Sequence, residues 1–107
     1  MSTKKQIQNA GWRERIQTFS SCNRGRKAAI AVEGMTLVDD QVLRDIEYDP
    51  VGKGNDLIIR LGYIVNLFTH TIDAPVELYI HQESNGIVSA LEVVDENDKS
   101  TFLRLLN

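Results

Sequence analysis

The 107-residue chain contains 42% hydrophobic and 25% charged residues, a composition typical of one globular domain and not of a disordered chain. The single cysteine, Cys22, excludes an intramolecular disulfide and a zinc site built on paired cysteines. The net charge of −3 is distributed unevenly along the chain. Through Lys27, seven basic residues and one acidic residue give +6, whereas five basic and fourteen acidic residues after Lys27 give −9.

The opening segment carries no export or membrane pattern. Residues 1–15 lack the apolar stretch of about 7–15 residues that a secretory signal requires. No apolar run approaches the roughly 18 residues of a membrane-spanning helix, and the longest, residues 62–68, has the length of a strand. We therefore expect a soluble protein of the cytoplasm.

A single helix is predicted near the start of the chain, over residues 10–21. Its apolar stripe follows the i, i+4, i+7 spacing of a helix that packs on a core and consists of Trp12, Ile16 and Phe19. Asn9 is the predicted N-cap, and Gly25 follows the predicted C-terminal end. Residues 1–8 show little pattern, and we expect them to be flexible.

After Gly25 the apolar period changes to two, which is typical of strands. The predicted strands span residues 27–33, 41–48, 57–61, 64–72, 76–81, 87–94 and 101–106. We expect a loop at 49–56, a turn at Asp73-Ala74-Pro75 and a hairpin loop at 82–86, where Asn85-Gly86 favours a tight turn. The predicted fold is therefore α+β, in one domain over residues 1–107. A short N-terminal helix packs on a mainly antiparallel sheet of about six to seven strands, curled into a small barrel or roll.

Several short motifs together resemble a known family. They are Trp12…Phe19-Ser20, Arg24-Gly25, His70-Thr71-Ile72-x-x-Pro75-Val76 and Ala90-Leu91-Glu92-Val93…Asp98…Thr101-Phe102-Leu103-Arg104. In these positions the chain is similar to a small bacterial family of uncharacterised domains of about this length, and the resemblance covers nearly the whole chain. Members of that family have no assigned activity, so the resemblance implies no catalytic role. The last turn, residues 95–99, is longer than the Asp-Gly turn of the family.

His70 is the strongest catalytic candidate, because histidine transfers protons near neutral pH. Asp73, three residues later, is the candidate carboxylate that would orient it, as in a small hydrolase or isomerase. Four side chains are conceivable nucleophiles, but none has the sequence context of a nucleophile elbow: Cys22, Thr69, Ser84 and Ser89. The alternative is structural, with His70 bonded to a neighbouring strand next to the turn at Pro75.

Metal and cofactor motifs are weak. His70 and His81 lack a close third ligand, and a turn at 73–75 would pair His70 with about residue 78 rather than with His81. The acidic segment 95–98 lacks the glycine and glutamate of a calcium loop. Gly52-Lys53-Gly54 is not followed by the helix that a phosphate-binding loop requires. We expect no metal and no cofactor.

The charge split suggests an interaction surface. The candidate interaction residues are Arg13, Arg15, Arg24, Arg26 and Lys27 in the basic segment, and Asp45, Glu47 and Asp49 in the acidic body. The three carboxylates share one face of a strand and would repel one another unless a cation or a basic partner lies near. The preferred hypothesis is a non-enzymatic interaction or regulatory module that binds a protein partner or a second copy of itself as a homodimer. The alternative is that the basic segment lies against its own acidic body.

Nucleic-acid binding by a small barrel is a further hypothesis. Such binding needs exposed aromatic residues on a basic face. Three tyrosines are available, at Tyr48, Tyr63 and Tyr79, but the strands that carry them are acidic. We therefore expect neither nucleic acid nor a membrane as the partner.

Overall fold

The computed structural model describes residues 3–49 and 54–106. These residues form helix α1 (Trp12–Asn23) and eight strands, together with single 3₁₀ turns at Asn9–Gly11 and Ile64–Asn66. The strands are β1 (Thr3–Gln6), β2 (Lys27–Val32), β3 (Met35–Asp49), β4 (Asp56–Leu61), β5 (Phe68–Asp73), β6 (Pro75–Gln82), β7 (Val88–Asp95) and β8 (Ser100–Leu105).

All strand pairs in this part of the chain are antiparallel, and the strand order is β1-β6-β7-β8-β2-β3-β4-β5. The prediction of one N-terminal helix on a large antiparallel sheet is confirmed. The predicted strand number was too low, because Thr3–Gln6, in the segment expected to be flexible, forms β1 and pairs with β6. The expected barrel is also wrong, because the end strands β1 and β5 do not pair and the sheet stays open.

The long strand β3 divides the sheet into two parts. Its N-terminal part pairs with β2 and its C-terminal part with β4. Asp40 adopts a positive φ of 54°, and the pairing register shifts between Leu43 and Asp45, so β3 bends where it changes partners. We call β1, β6, β7, β8, β2 and the N-terminal part of β3 sheet A, and the C-terminal part of β3 with β4 and β5 sheet B.

A second corner lies between β5 and β6, where the sequence predicted a hairpin. Ala74, with a φ of 50°, joins the two strands, but they do not pair with each other. β5 pairs instead with β4, which places His70 opposite Ile59 and not near residue 78. The predicted register of His70 is therefore wrong, because a short turn between two strands does not require them to pair with each other.

The other connections follow the sequence more closely. The 82–86 loop is a hairpin in which the Glu83 amide donates to the Ile87 carbonyl at 2.9 Å. β3 begins earlier than predicted because Glu33 and Gly34, both with positive φ, form a two-residue turn directly after β2. Residues 64–66, predicted as strand, form a 3₁₀ turn before β5. Of the predicted loop at 49–56, residues 50–53 lie outside the described residues.

Helix α1 packs on the sheet through the predicted stripe, since Trp12, Ile16 and Phe19 are all buried. The Trp12 indole N–H donates to the Ile7 carbonyl at 2.8 Å, and its ring meets the Tyr48 ring edge-on with centroids 5.5 Å apart. A 3₁₀ turn precedes the helix and no side chain caps it, so the predicted Asn9 N-cap is wrong. The stripe thus fixes α1 against β3.

Candidate functional site

The outer face of sheet B carries a regular array of charged residues. The inward residues of β4 are Leu57, Ile59 and Leu61, each 0% exposed, so the residues between them point outward. With their cross-strand neighbours they form three rows, which are Asp45-Arg60-Thr69, Glu47-Ile58-Thr71 and Asp49-Asp56-Asp73. We call these nine residues the acidic face. Five carboxylates and one guanidinium give it a formal charge of −4.

Arg60 neutralises part of this charge. Its Nη1 lies 2.9 Å from Asp45 Oδ1, and its Nη2 lies 3.0 Å from Glu47 Oε1. These hydrogen bonds to the two carboxylates raise the pKa of Arg60. The predicted face of Asp45, Glu47 and Asp49 thus exists, and the basic partner that it requires comes from β4. Sequence reasoning did not identify Arg60, because its position depends on the β3–β4 register.

The third row of the acidic face holds three aspartates side by side. Asp49 lies opposite Asp56, and Asp56 lies opposite Asp73. The pKa of Asp56 is raised, first by its side-chain hydrogen bond with Asp73, then by partial burial and by the charges of Asp73 and Asp49. No basic side chain of the described residues pairs with this row. Like charges directly across a sheet are destabilising.

The predicted basic residues do not cover the acidic face. The Arg24 guanidinium donates to the Arg44 carbonyl at 3.1 Å, and Lys27 pairs with Asp40 at 3.0 Å. Arg26 donates at 2.9 Å both to the Asn23 side chain and to the Val88 carbonyl. Arg13 and Arg15 are exposed on α1.

His70 and Asp73 lie on opposite sides of β5. Phe68, His70 and Ile72 alternate with the outward residues, so the His70 ring is on the inner side and half-buried. Burial lowers the pKa of His70. No hydrogen bond to its ring is found among the described residues, either from Asp73 or from a neighbouring strand. The structure therefore does not bring the two candidate catalytic side chains together.

A second polar cluster, on the outer face of sheet A, was missed by sequence reasoning. The Glu92 carboxylate, 7% exposed as a residue, lies 2.8 Å from His81 Nε2 and 3.2 Å from Lys4 Nζ. The Lys4 ammonium also lies over the Tyr79 ring, 4.2 Å from its centroid. The hairpin turn at Asn85-Gly86 does not predict this cluster, because a register shift between His81 and Gln82 places Tyr79 opposite Glu92 and not opposite Leu91. This cluster fastens β1 to β6 and β7.

Three surface cavities border α1. Two lie between the helix and β3, and their linings include Arg13, Gln17 and Glu47. The third lies between α1, β1 and β6 and is lined by Lys5, Arg15 and the partly apolar side chains beside them. Neither the His70 and Asp73 pair nor the sheet A cluster lines any of the three, whereas Cys22 lines the third. Within the described ranges, no three His, Cys, Asp or Glu side chains are placed to hold a metal ion.

Comparison with known proteins gives a family and no activity. No helix among the described residues is long and apolar enough to cross a membrane. No curated protein and no solved structure significantly matches the chain. A family model described as a family of unknown function, DUF5335, matches residues 3–107. The chain therefore belongs to this family of unknown function, DUF5335.

Proposed function

We propose that this protein is a non-enzymatic interaction module of the cytoplasm that binds a basic protein surface through the acidic face of sheet B. The observation that carries the proposal is the negative charge of that face that no basic residue of the described ranges balances. Arg60 balances the end near Asp45, but the row Asp49-Asp56-Asp73 has no basic partner among the described residues. A bound lysine or arginine would supply the missing positive charge.

The shape and polarity of this face suit a protein surface better than a small molecule. Its residues lie in adjacent rows of three paired strands, so they form a continuous patch. The β3 side of this patch borders two of the surface cavities beside α1. Half-buried Ile58 lies at its centre, with exposed Thr69 and Thr71 beside it. Charged patches of this kind accelerate and orient association with a partner of opposite charge.

A second copy of the chain is one basic partner that is always present. Arg13 and Arg15 are exposed on α1 and take part in no ion pair described in the structure. They could meet the acidic face of another molecule. This contact would join a basic surface to an acidic one, so it would be sensitive to salt.

The test compares charge removal at the acidic face with equal charge removal elsewhere. The face variant is Asp49→Asn, Asp56→Asn and Asp73→Asn combined. The matched control, with the same change of net charge, combines Glu14→Gln, Asp39→Asn and Glu83→Gln, all at exposed positions outside the face. The probe is a blocked oligolysine peptide titrated at about 0.02 M and about 0.5 M salt.

We expect the wild type and the control variant to bind the oligolysine peptide at low salt, and the face variant to bind at least about tenfold more weakly. Equal binding by the face and control variants would contradict the proposal. Sedimentation of the wild type at both salt concentrations tests the second copy as the partner. A monomer under both conditions would exclude it and leave a different basic protein as the partner.

A further inference from the structure

An open sheet exposes unpaired backbone groups at its edges, and each edge needs a physical explanation. The C-terminal part of β3 lies beyond the end of β2 and would be open on that side. Helix α1 covers it, because the Ile46 amide donates to Ser20 Oγ at 2.9 Å and the Arg24 guanidinium donates to the Arg44 carbonyl at 3.1 Å. This edge is closed by the fold itself.

The edge strand β1 carries a different protection. All four of its residues are exposed, and two of them are Lys4 and Lys5. Lysines on an edge strand disfavour pairing with another strand, because their charges must then be brought against the incoming chain. β1 therefore has the features of an edge that avoids association.

β5, the opposite edge of the sheet, has no such protection. Its sequence, Phe-Thr-His-Thr-Ile-Asp, contains no lysine, arginine or proline, and its pairing with β4 runs without a bulge. Thr69, Thr71 and Asp73 are exposed, and Phe68 and His70 on the inner side are only half-buried. A regular, accessible edge of this kind is a template for strand addition.

The hydrogen-bond pattern shows which groups of β5 are available. The Ile46 amide points toward α1, so in the alternating antiparallel pattern Ile46 and Ile59 form a non-hydrogen-bonded pair. The backbone groups of Ile59 then point toward β5 and pair with those of His70. It follows that Thr69 and Thr71 direct their N–H and C=O groups away from β4, toward the free edge.

We propose that the partner adds an extended basic segment to the free edge of β5, antiparallel to it, and so extends sheet B by one strand. This inference rests on the proposed function and names its binding mode. Residues of the added strand opposite Thr69 and Thr71 would exchange backbone hydrogen bonds with them. Their side chains would lie on the outer side, diagonally beside Asp73, which pairs with Asp56 one strand further in. A lysine or arginine there would approach the end of the row that no described basic residue balances. The alternate side chains would cover Phe68 and His70.

Strand addition would distinguish between two peptides of equal charge that differ only in which backbone N–H groups are blocked, whereas a purely electrostatic contact would not. In an extended peptide, N–H groups of successive residues point to opposite sides. For a peptide of alternating lysine and valine, the lysine amides would face β5 and the valine amides would face away. Two isomeric peptides, N-methylated either on the lysines or on the valines, therefore have the same charge and composition but differ in their capacity to pair with β5.

The experiment measures the affinity of the wild-type protein for three blocked peptides: the unmodified lysine–valine peptide and its two N-methylated isomers. We expect the valine-methylated isomer to bind like the parent peptide and the lysine-methylated isomer to bind about tenfold more weakly or worse. Equal affinity of the two isomers would overturn strand addition, as would a loss confined to the valine-methylated isomer. If the two isomers bind the wild type equally and both bind the face variant more weakly, strand addition is wrong but the proposed function is retained. If no peptide binds, both proposals are wrong.

A pair of protein variants tests the same site from the other side. Thr71→Pro removes the N–H that faces the free edge and leaves the β4 pairing groups in place, so an edge strand tolerates it. Thr71→Val removes only the hydroxyl and keeps that N–H. We expect the proline variant to lose at least about tenfold in affinity for the unmodified peptide and the valine variant to retain it. In the wild type, peptide binding should slow hydrogen exchange at the Thr69 and Thr71 amides, and unchanged exchange at both would contradict the proposal.

Discussion

Removal of one oxygen atom, Ser20 Oγ, tests whether α1 covers the edge of β3. Ser20 is 4% exposed, and its Oγ accepts the Ile46 amide N–H at 2.9 Å. Ser20→Ala removes this acceptor and leaves the amide of a residue that is only 5% exposed facing the methyl group of alanine. The inference that this edge is closed, which directs strand addition to β5, depends on that contact.

The magnitude follows from two opposing effects. An unsatisfied buried N–H costs about 1–3 kcal/mol. Alanine favours a helix interior over serine by about 0.5 kcal/mol, which offsets part of this cost. We therefore expect Ser20→Ala to lower the free energy of unfolding by about 1–2 kcal/mol, with an unchanged dependence on denaturant.

Urea unfolding followed by circular dichroism gives this difference directly. Ser21→Ala is the matched control, because Ser21 is the next residue of the same helix and is exposed. Its helix preference changes equally, but it accepts no hydrogen bond from β3 in the structure. We expect it to be neutral or slightly stabilising. If the two variants unfold at the same urea concentration, the Ser20 contact does not hold α1 on the edge of β3.

Two further predictions concern charge and backbone conformation. Asp56→Asn should increase the stability at pH 7 and lose that advantage as the pH falls. The reason is that the raised folded-state pKa of Asp56 makes the wild type less stable as the pH rises through that pKa. Urea unfolding midpoints of both proteins between pH 3 and 8 measure the difference. Gly62→Ala should cost at least about 2 kcal/mol, because a Cβ would lie 2.6 Å from the Asn66 carbonyl oxygen at a φ of +96°. Gly86→Ala, at a φ of +87° with no atom within 4 Å, isolates the φ penalty and should cost only about 1 kcal/mol in the same assay.

The parts of the fold that the sequence predicted are those encoded by local periodicity. The i, i+4, i+7 stripe of α1 depends only on neighbours along the chain, and its three residues are buried as expected. β1 was missed because all four of its residues are exposed and show no alternation. The β5–β6 corner does not form the predicted hairpin, because Asp73-Ala74-Pro75 fixes a change of direction but not the partner of either strand. β5 pairs with β4, and β6 pairs with β1 and β7.

The same distinction applies to the candidate site. The period of two placed Asp45, Glu47 and Asp49 on one face without knowledge of any other strand. Arg60 and Asp56 lie on that face because of the β3–β4 register. The sequence does not predict this register, because the loop between the two strands is long and contains two glycines. His70 precedes a turn and lies three residues from Asp73 in the sequence, but alternation along β5 places the two side chains on opposite faces.

The proposed function accounts for the third row of the acidic face. Asp49, Asp56 and Asp73 point outward, where asparagine or threonine would occupy the same positions without repulsion. The described part of the fold therefore gives no structural reason for three carboxylates. A basic strand on β5 reverses the sign of the interaction and favours the ionised form of Asp56. Binding must then release protons and strengthen as the pH rises through the raised pKa of Asp56, while the stability of the free protein falls over the same range. Opposite slopes of affinity and stability distinguish a binding face from a surface that is merely acidic.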